Sequence, residues 1–287
     1  MSSVIEIQGI SKTFDRFSMK DVHFEVNKGY ITGLIGPNGA GKSTLIKMMM
    51  DMVRPDNGSI RLFGSSPAAE PLIKERVGYV SDENFYYEHL TISRMKSIVR
   101  PFYKHWDDAA FRRYLDLFEL SPKAKIKNLS KGMKMKFSLA VALSHHADLL
   151  IMDEPTAGLD PVFRRELLEL LSEQILDENK SILFSTHITN DLDRIADYIV
   201  FLNRGEVVFS ESKDEVFERY VMVKGGRELL DKDIRKFFVG VREGAHGFEA
   251  LSKDRGEAKR AFKDVALLET PTLEDIMYFT AKGGKSA

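Results

Sequence analysis

The sequence predicts an α/β protein built on a mainly parallel sheet, and two observations lead to this class. From Ile31 to Leu202, short apolar runs of strand length alternate with segments of helical periodicity. This order is typical of parallel strands joined by helices that cover both faces of the sheet. A glycine-rich turn also follows the first of these apolar runs and leads directly into a helical pattern, so a strand and a helix succeed one another there.

The strands are predicted from two kinds of apolar pattern. Val4–Ile7 and Val22–Val26 alternate apolar and polar residues, as half-buried strands do, and they predict an antiparallel layer at the N-terminal end. Continuous apolar runs indicate fully buried strands of the main sheet. These runs are Ile31–Ile35, Val77–Val80, Leu149–Met152, Ile182–Phe184 and Ile199–Leu202.

Two regions break the alternation of strands and helices. Between Phe85 and Leu129 the strand-like runs stop, and Ala109–Leu120 has helical periodicity, so we expect a helical insertion at about residues 85–145. After about Ser212, helices are mixed with short strand candidates at Tyr220–Val223, Phe237–Val241, Phe248–Leu251 and Val265–Leu268. We therefore predict a core domain over residues 1–211, a small α+β accessory region over residues 212–287, and a disorder-like tail at Lys282–Ala287.

Composition limits the classes of function. A chain of 287 residues with 43% hydrophobic content can bury a full core, and 42 basic against 43 acidic residues give no electrostatic reason to expect nucleic acid as a ligand. The absence of cysteine excludes disulfides and thiolate metal sites and suits a reducing compartment such as the cytoplasm. No run approaches the roughly 20 apolar residues of a membrane span, and the start lacks a signal-peptide layout. We expect a chain that is neither membrane-spanning nor secreted.

The strongest motif is a P-loop between a buried strand and a helical pattern that begins near Lys42. Its glycines allow backbone N–H groups to surround phosphates, and the helix N-terminus adds partial positive charge. Lys42 supplies a point charge to the β- and γ-phosphates, and the Ser43 hydroxyl suits Mg²⁺. The nucleotide-binding residues predicted from this motif are Gly36, Asn38, Gly39, Ala40, Gly41, Lys42, Ser43 and Thr44.

Two carboxylates form the second phosphate element. Asp153 and Glu154 end the apolar run Leu149–Met152, at the sheet edge where phosphates are expected. Asp153 suits the shell of Mg²⁺. Glu154, one position further, is expected to point to the opposite side of the chain and to polarise a water for attack on the γ-phosphate.

A third motif makes a family resemblance specific. Leu129–Met133 is similar to the signature motif of ATP-binding cassette proteins and opens a helix, as in that family. The resemblance implies that Ser130 and Gly132 bind the γ-phosphate of ATP held by a second subunit. It also implies that Asp160 belongs to the family's D-loop and that His187, which follows a strand, is the switch histidine with a catalytic role.

The resemblance covers roughly residues 4–210 and includes a residue that is expected to contact the base of the nucleotide. Phe14 occupies the position of the aromatic residue that stacks on adenine in this family, and Phe17 is a competing candidate. Because several motifs occur in the family's order and at its spacing, they indicate the family much more specifically than a P-loop alone would.

Three features depart from the family's usual motifs or narrow the resemblance. Asp82 stands near the position of the family's Q-loop glutamine, which places it with Ser43 and Asp153 among the expected Mg²⁺ ligands. Lys131 and Met133 replace the usual glycine and glutamine of the signature. Such lysine-bearing signatures, and the C-terminal segment 271–277, resemble bacterial single-cassette exporters of the bacitracin-resistance and peptide-export type.

The function implied is the ATPase subunit of a transporter that uses ATP and Mg²⁺. It would act as a dimer, with a copy of itself or a paralogue, on separate integral membrane subunits at the cytoplasmic face of the membrane, in the direction of export. The alternative is a soluble cassette ATPase that acts on nucleic acid or ribosomes. Such proteins usually carry two cassettes or a long coiled coil, and this sequence has neither a second P-loop nor sustained heptads.

Overall fold

The computed structural model of the chain describes residues 2–83 and 85–283. The strands are β1 (Ser3–Phe14), β2 (Phe17–Asn27), β3 (Ile31–Ile35), β4 (Asn57–Leu62), β5 (Val77–Val80), β6 (Leu149–Asp153), β7 (Ser181–Thr186), β8 (Tyr198–Asn203), β9 (Glu206–Ser212), β10 (Val221–Gly225), β11 (Gly240–Gly244), β12 (Gly247–Ser252) and β13 (Leu267–Glu269). The helices are α1 (Lys42–Met49), α2 (Ile92–Val99), α3 (Asp108–Leu117), α4 (Lys131–Leu143), α5 (Pro161–Gln174), α6 (Thr189–Ile195), α7 (Lys213–Arg219), α8 (Lys232–Lys236), α9 (Arg255–Phe262) and α10 (Leu273–Gly283).

The main sheet has the strand order β5-β6-β7-β3-β8-β9. All neighbouring pairs are parallel except β8 and β9, which are antiparallel. Every residue of β3, β6 and β7 is buried, as expected for strands covered on both faces. The predicted α/β class is therefore confirmed.

The parallel register fixes where the ends of the strands lie. Asp153 at the end of β6 is opposite Ser185 on β7, and Ile35 at the end of β3 is opposite Thr186. The P-loop, the two acidic residues after Met152 and the segment after β7 therefore leave the sheet at the same edge. This is the edge at which open α/β sheets bind their ligands.

The antiparallel layer consists of β2, β1 and β4 in that order. It packs on one face of the main sheet through a shared hydrophobic cluster that also contains Leu45 and Ile46 of α1. Sequence patterns missed β4 and β9. Both carry mainly exposed or half-buried side chains, so an apolar run did not reveal them.

The segment between β5 and β6 contains helices α2, α3 and α4 and no strand among its described residues, as predicted for the insertion. Asp107 caps the N-terminus of α3, and its carboxylate accepts hydrogen bonds from the N–H groups of Ala109 and Ala110. Phe111 and Phe137 pack in the core of the insertion, and this core is continuous with the core against the main sheet. The insertion therefore rests on the sheet through a common apolar layer.

The region after β9 forms an antiparallel sheet in the order β11-β12-β10-β13. One face packs against α8 and α9 through a separate cluster that includes Phe238 and Phe262. The predicted strand Phe237–Val241 is wrong in its first half. Asp231 accepts hydrogen bonds from the N–H groups of Asp233 and Ile234 and so starts a helix, and strand β11 begins only at Gly240.

The other face of this second sheet joins the main core. Met222 and Leu251 lie in the same hydrophobic cluster as Leu192 of α6, together with three residues of α10. These three are Leu273, Ile276 and Phe279, all at most 2% exposed. Helix α10 is therefore packed between the second sheet and α6, the helix that begins just after His187. The domain boundary near Ser212 remains a prediction.

Of the predicted tail, Lys282 and Gly283 complete α10, and residues 284–287 lie outside the described part of the chain. Within residues 2–83 and 85–283, no helix combines the length and the apolar character needed to cross a membrane.

The packing of α10 gives a stability prediction with a matched control. Leu273→Ala removes a fully buried side chain, and we expect it to lower the free energy of unfolding by about 2–4 kcal/mol. Leu267→Ala changes an exposed leucine of the same region and should cost less than about 0.5 kcal/mol. Denaturant unfolding of both full-length variants measures the difference. Equal losses would show that α10 does not share the main core.

Candidate functional site

The P-loop joins β3 to α1 in a tight backbone path. A side chain at Gly36 would meet the carbonyl oxygen of Leu202 at 2.2 Å, so only glycine fits there. Gly41 precedes α1 with φ of 109°, a conformation that favours glycine, and no side chain caps the helix. The N–H groups of the first turn of α1 are therefore available to an anion, and the positive end of the helix dipole adds to the attraction.

Lys42, the first residue of α1, carries a buried charge. Its side chain is 5% exposed, and its Nζ donates to the carbonyl oxygen of Gly36 at 2.8 Å. The same Nζ lies 3.3 Å from Oε1 of Glu154. A buried ammonium group needs such partners, since burial without them is costly.

Glu154 links Lys42 to His187. Its second oxygen, Oε2, lies 2.8 Å from Nδ1 of His187 and accepts a hydrogen bond from the backbone N–H of His187 at 3.3 Å. Glu154 has a φ of 50°, an uncommon value for a residue other than glycine. The backbone therefore turns at Glu154 instead of continuing the strand. Asp153 and Glu154 both contact P-loop side chains, Asp153 that of Ser43 and Glu154 that of Lys42.

Asp153 is 3% exposed and lies between two hydroxyl groups. The hydroxyl of Ser185 donates to Oδ1 of Asp153 at 3.1 Å. Burial raises the pKa of the Asp153 carboxyl, while the hydroxyls of Ser43 and Ser185 lower it and the charge of Glu154 raises it further. A buried carboxylate beside a hydroxyl is a donor pair that suits a hard divalent cation.

An open cleft of about 660 Å³ lies in front of these groups. It is lined by P-loop residues 38–44 and by Phe14, Phe17, Asp82, Lys131, Glu154, Ala157 and His187. The two phenylalanines form one wall. Their ring centroids are 6.4 Å apart, and the rings are inclined by 29°. Phe17 packs close to Gly41, whereas Phe14 is 42% exposed and has the Nζ of Lys12 at 5.7 Å from its ring centroid.

Ser130, Gly132 and Asp160 do not line this cleft in the described part of the chain. The hydroxyl of Ser130 accepts a hydrogen bond from the N–H of Met133 and caps α4, and Gly132 lies near Leu159. The carboxylate of Asp160 caps α5, and the N–H of Phe163 is the main cause of its lowered pKa. The three residues lie at two neighbouring helix N-termini.

Sequence reasoning missed two contacts of the site. Ser185 could have been proposed only if β6 and β7 were known to be neighbours, because its contact with Asp153 depends on strand order. Lys131, the unusual residue of the signature motif, lines the cleft of its own chain and pairs with Asp82, and no local pattern in the sequence indicates that pairing. Its Nζ lies 2.5 Å from Oδ1 of Asp82.

The comparison with protein families matches residues 19–157 to the model described as "ABC transporter". The chain is 29% identical to ABC transporter ATP-binding protein YtrB of Bacillus subtilis, over 77% of this chain and 76% of the relative. It is 29% identical to the bacitracin transport ATP-binding protein BcrA of Enterococcus faecalis, over 94% and 92%. It is 30% identical to the lantibiotic transport ATP-binding protein SrtF of Streptococcus pyogenes, over 78% of this chain and all of SrtF.

Solved structures show the same fold. The ATP-binding subunit of an ABC transporter is 32% identical and superposes with a TM-score of 0.68, covering 75% of this chain and 92% of that structure. A cassette solved as a dimer in a post-hydrolysis state with ADP and Pi is 21% identical and has a TM-score of 0.65, over 72% and 98%. The chain therefore belongs to the ABC transporter ATP-binding proteins and is an ATPase cassette of that family.

Proposed function

We propose that this ATPase drives export through separate membrane subunits, working in pairs at the cytoplasmic face of the membrane. The observation that carries the catalytic part is the contact of one carboxylate, Glu154, with both Lys42 and His187 in the cleft. Export is supported by the similarity to BcrA and SrtF, whose names describe bacitracin and lantibiotic transport. No observation favours the alternative that acts on nucleic acid or ribosomes.

The cleft suits a nucleoside triphosphate at both ends. At one end, the exposed ring of Phe14 would stack on the adenine, which provides apolar contact with little base specificity. At the other end, the N–H groups of residues 38–44 would surround the phosphates, with Gly36 allowing the close approach. Lys42 would exchange its contacts with Gly36 and Glu154 for phosphate oxygens, so its charge stays paired.

Ser43 and Asp153 would hold Mg²⁺. Burial disfavours the ionised carboxylate of Asp153, and a bound cation would offset that cost, so these residues fit the ion. The ion would neutralise negative charge on the phosphates. Asp82, the third residue predicted for this role, is already ion-paired with Lys131 and is considered separately below.

Glu154 would orient and deprotonate the attacking water. Its contact with His187 fixes the carboxylate from one side, and its contact with Lys42 fixes it from the other. When Lys42 moves to the phosphates, one oxygen of Glu154 becomes available to a water in front of the γ-phosphate. His187 would hold Glu154 in this orientation.

A second cassette would complete the site. Ser130, Gly132 and Asp160 lie outside their own cleft, and the first-turn N–H groups of α4 have no partners within that helix apart from the cap on Met133. These groups suit the γ-phosphate of ATP bound to a facing cassette, either a copy or a paralogue. The solved cassette described as a dimer in a post-hydrolysis state supports this arrangement.

The first prediction separates binding from hydrolysis. Lys42→Ala should weaken ATP binding by about 10-fold or more, because a buried charged contact to the phosphates is lost. Glu154→Gln should bind ATP with near-normal affinity and hydrolyse it at least about 100-fold more slowly, because only the base is removed. Nucleotide titration and phosphate release measure the two effects. Near-normal turnover by Glu154→Gln would exclude Glu154 as the base.

The second prediction concerns Asp153. Asp153→Asn should raise the thermal unfolding temperature of the nucleotide-free protein at pH 7, because it removes a carboxylate whose ionised form is disfavoured by burial. The same variant should bind ATP equally with and without Mg²⁺, whereas the unmodified protein should bind more tightly with Mg²⁺. A variant that keeps its full Mg²⁺ dependence would contradict the assignment.

The third prediction tests the shared site. Lys42→Ala and Ser130→Arg subunits should each be inactive alone, and heterodimers of the two should regain one intact composite site. ATPase activity should return to at most about half of the unmodified value per dimer. If heterodimers form but no activity returns, ATP-induced dimerisation of Glu154→Gln decides the matter. A variant that stays monomeric with saturating ATP would exclude the composite site.

A further inference from the structure

The ion pair between Lys131 and Asp82 lies on the wall of the cleft. Asp82 stands near the position of the Q-loop glutamine, and Lys131 replaces the usual glycine of the signature motif. These two unusual residues are paired with each other. Lys131 is the first residue of α4, in the helical insertion, whereas Asp82 follows β5 of the main sheet by two positions. The pair therefore ties the start of the signature helix to the edge of the sheet.

The two chain segments are held by further contacts. The stem of Lys131 passes Gly158, where an added Cβ would lie 3.8 Å from its Cδ. Glu83, the neighbour of Asp82, accepts a hydrogen bond at 3.2 Å from Lys47 of α1, the helix of the P-loop. Successive carboxylates thus connect the loop after β5 to the signature helix on one side and to the phosphate-binding helix on the other.

The Lys131–Asp82 pair is weak enough to exchange partners. The side chains are 57% and 42% exposed, and ion pairs between such exposed groups contribute little to stability. A terminal phosphate in the cleft carries more negative charge than one carboxylate, attracts Lys131 and repels Asp82. Lys42, by contrast, is buried and belongs to the P-loop itself.

We propose that Lys131 is a positioning residue for bound ATP, because Asp82 and the terminal phosphate of ATP compete for its ammonium group. Pairing with Asp82 holds the start of α4 against the loop after β5. Pairing with the phosphate releases that contact and lets the start of α4 follow the nucleotide. The inference rests on the proposed nucleotide cleft, and the phosphate is that of ATP in the same cleft or in a facing cassette.

The competition predicts opposite signs for two substitutions in the full-length protein. Asp82→Asn removes the competitor and should tighten ATP binding, whereas Lys131→Met removes the shared cation and should weaken it, each by about two- to fivefold. ADP lacks the terminal phosphate, so its affinity should not change. The double variant should behave like Lys131→Met. Titrations with ATP and ADP measure all of these affinities.

A neighbouring ion pair gives the matched control. Lys134 Nζ lies 2.8 Å from Oε1 of Glu88, also at the start of α4, but neither residue lines the cleft. Lys134→Met and Glu88→Gln should leave both nucleotide affinities unchanged. Equal effects in the control pair would overturn the inference, because they would show a general response of α4 to lost surface charge.

Two measurements, ATP affinity and ATP-induced dimerisation, distinguish a phosphate in the same cleft from one in a facing cassette. An effect on ATP affinity at protein concentrations that keep the chain monomeric indicates the phosphate of the same cleft. An effect confined to ATP-induced dimerisation, measured with Glu154→Gln present in every variant, indicates a facing cassette. Shifts of the same sign for Asp82→Asn and Lys131→Met, equal shifts for ATP and ADP, or no shift in either assay would overturn the inference. Failure of the unmodified protein to bind ATP would instead contradict the proposed function.

Discussion

The parallel pairing of β6 with β7, and of β7 with β3, is the constraint on which the site depends. It brings the ends of three strands to one edge of the sheet, although β3 lies more than a hundred residues before β6 and β7 in the sequence. Lys42, Glu154 and His187 can meet there only in this register. A shift by one residue would turn the alternating side chains of a strand to the other face and separate the carboxylates from the P-loop.

Much of this arrangement could be predicted from local patterns. An apolar run predicts the strand Ile31–Ile35, and a characteristic glycine spacing predicts the P-loop after it. Strand order has no such local signal, so the contact of Ser185 with Asp153 could not be foreseen. The apolar run at residues 237–241 was predicted as a strand, but its first part follows the end of α8. A short apolar run alone does not distinguish the end of a helix from a strand.

The charges of the cleft are paired by partners that a nucleotide can replace. Among the described residues, Lys42 is held by a carbonyl oxygen and a carboxylate, and Lys131 is held by one carboxylate. The two differ in burial, so loss of a partner would be costly for Lys42 and almost neutral for Lys131. The two cations therefore suit different proposed roles: Lys42 would bind the phosphates of any nucleotide in the cleft, and Lys131 would respond to the terminal phosphate that ATP has and ADP lacks.

The contact between α6 and α10 has a consequence for the order of folding. Helix α6 begins two residues after His187, and its buried face is covered by a helix that starts at Leu273. During synthesis, the segment that carries His187 leaves the ribosome well before this covering helix exists. Contacts between such distant parts of a chain form late, since the intervening loop must first be closed. The catalytic edge of the sheet therefore acquires its final packing only after the accessory region has been made.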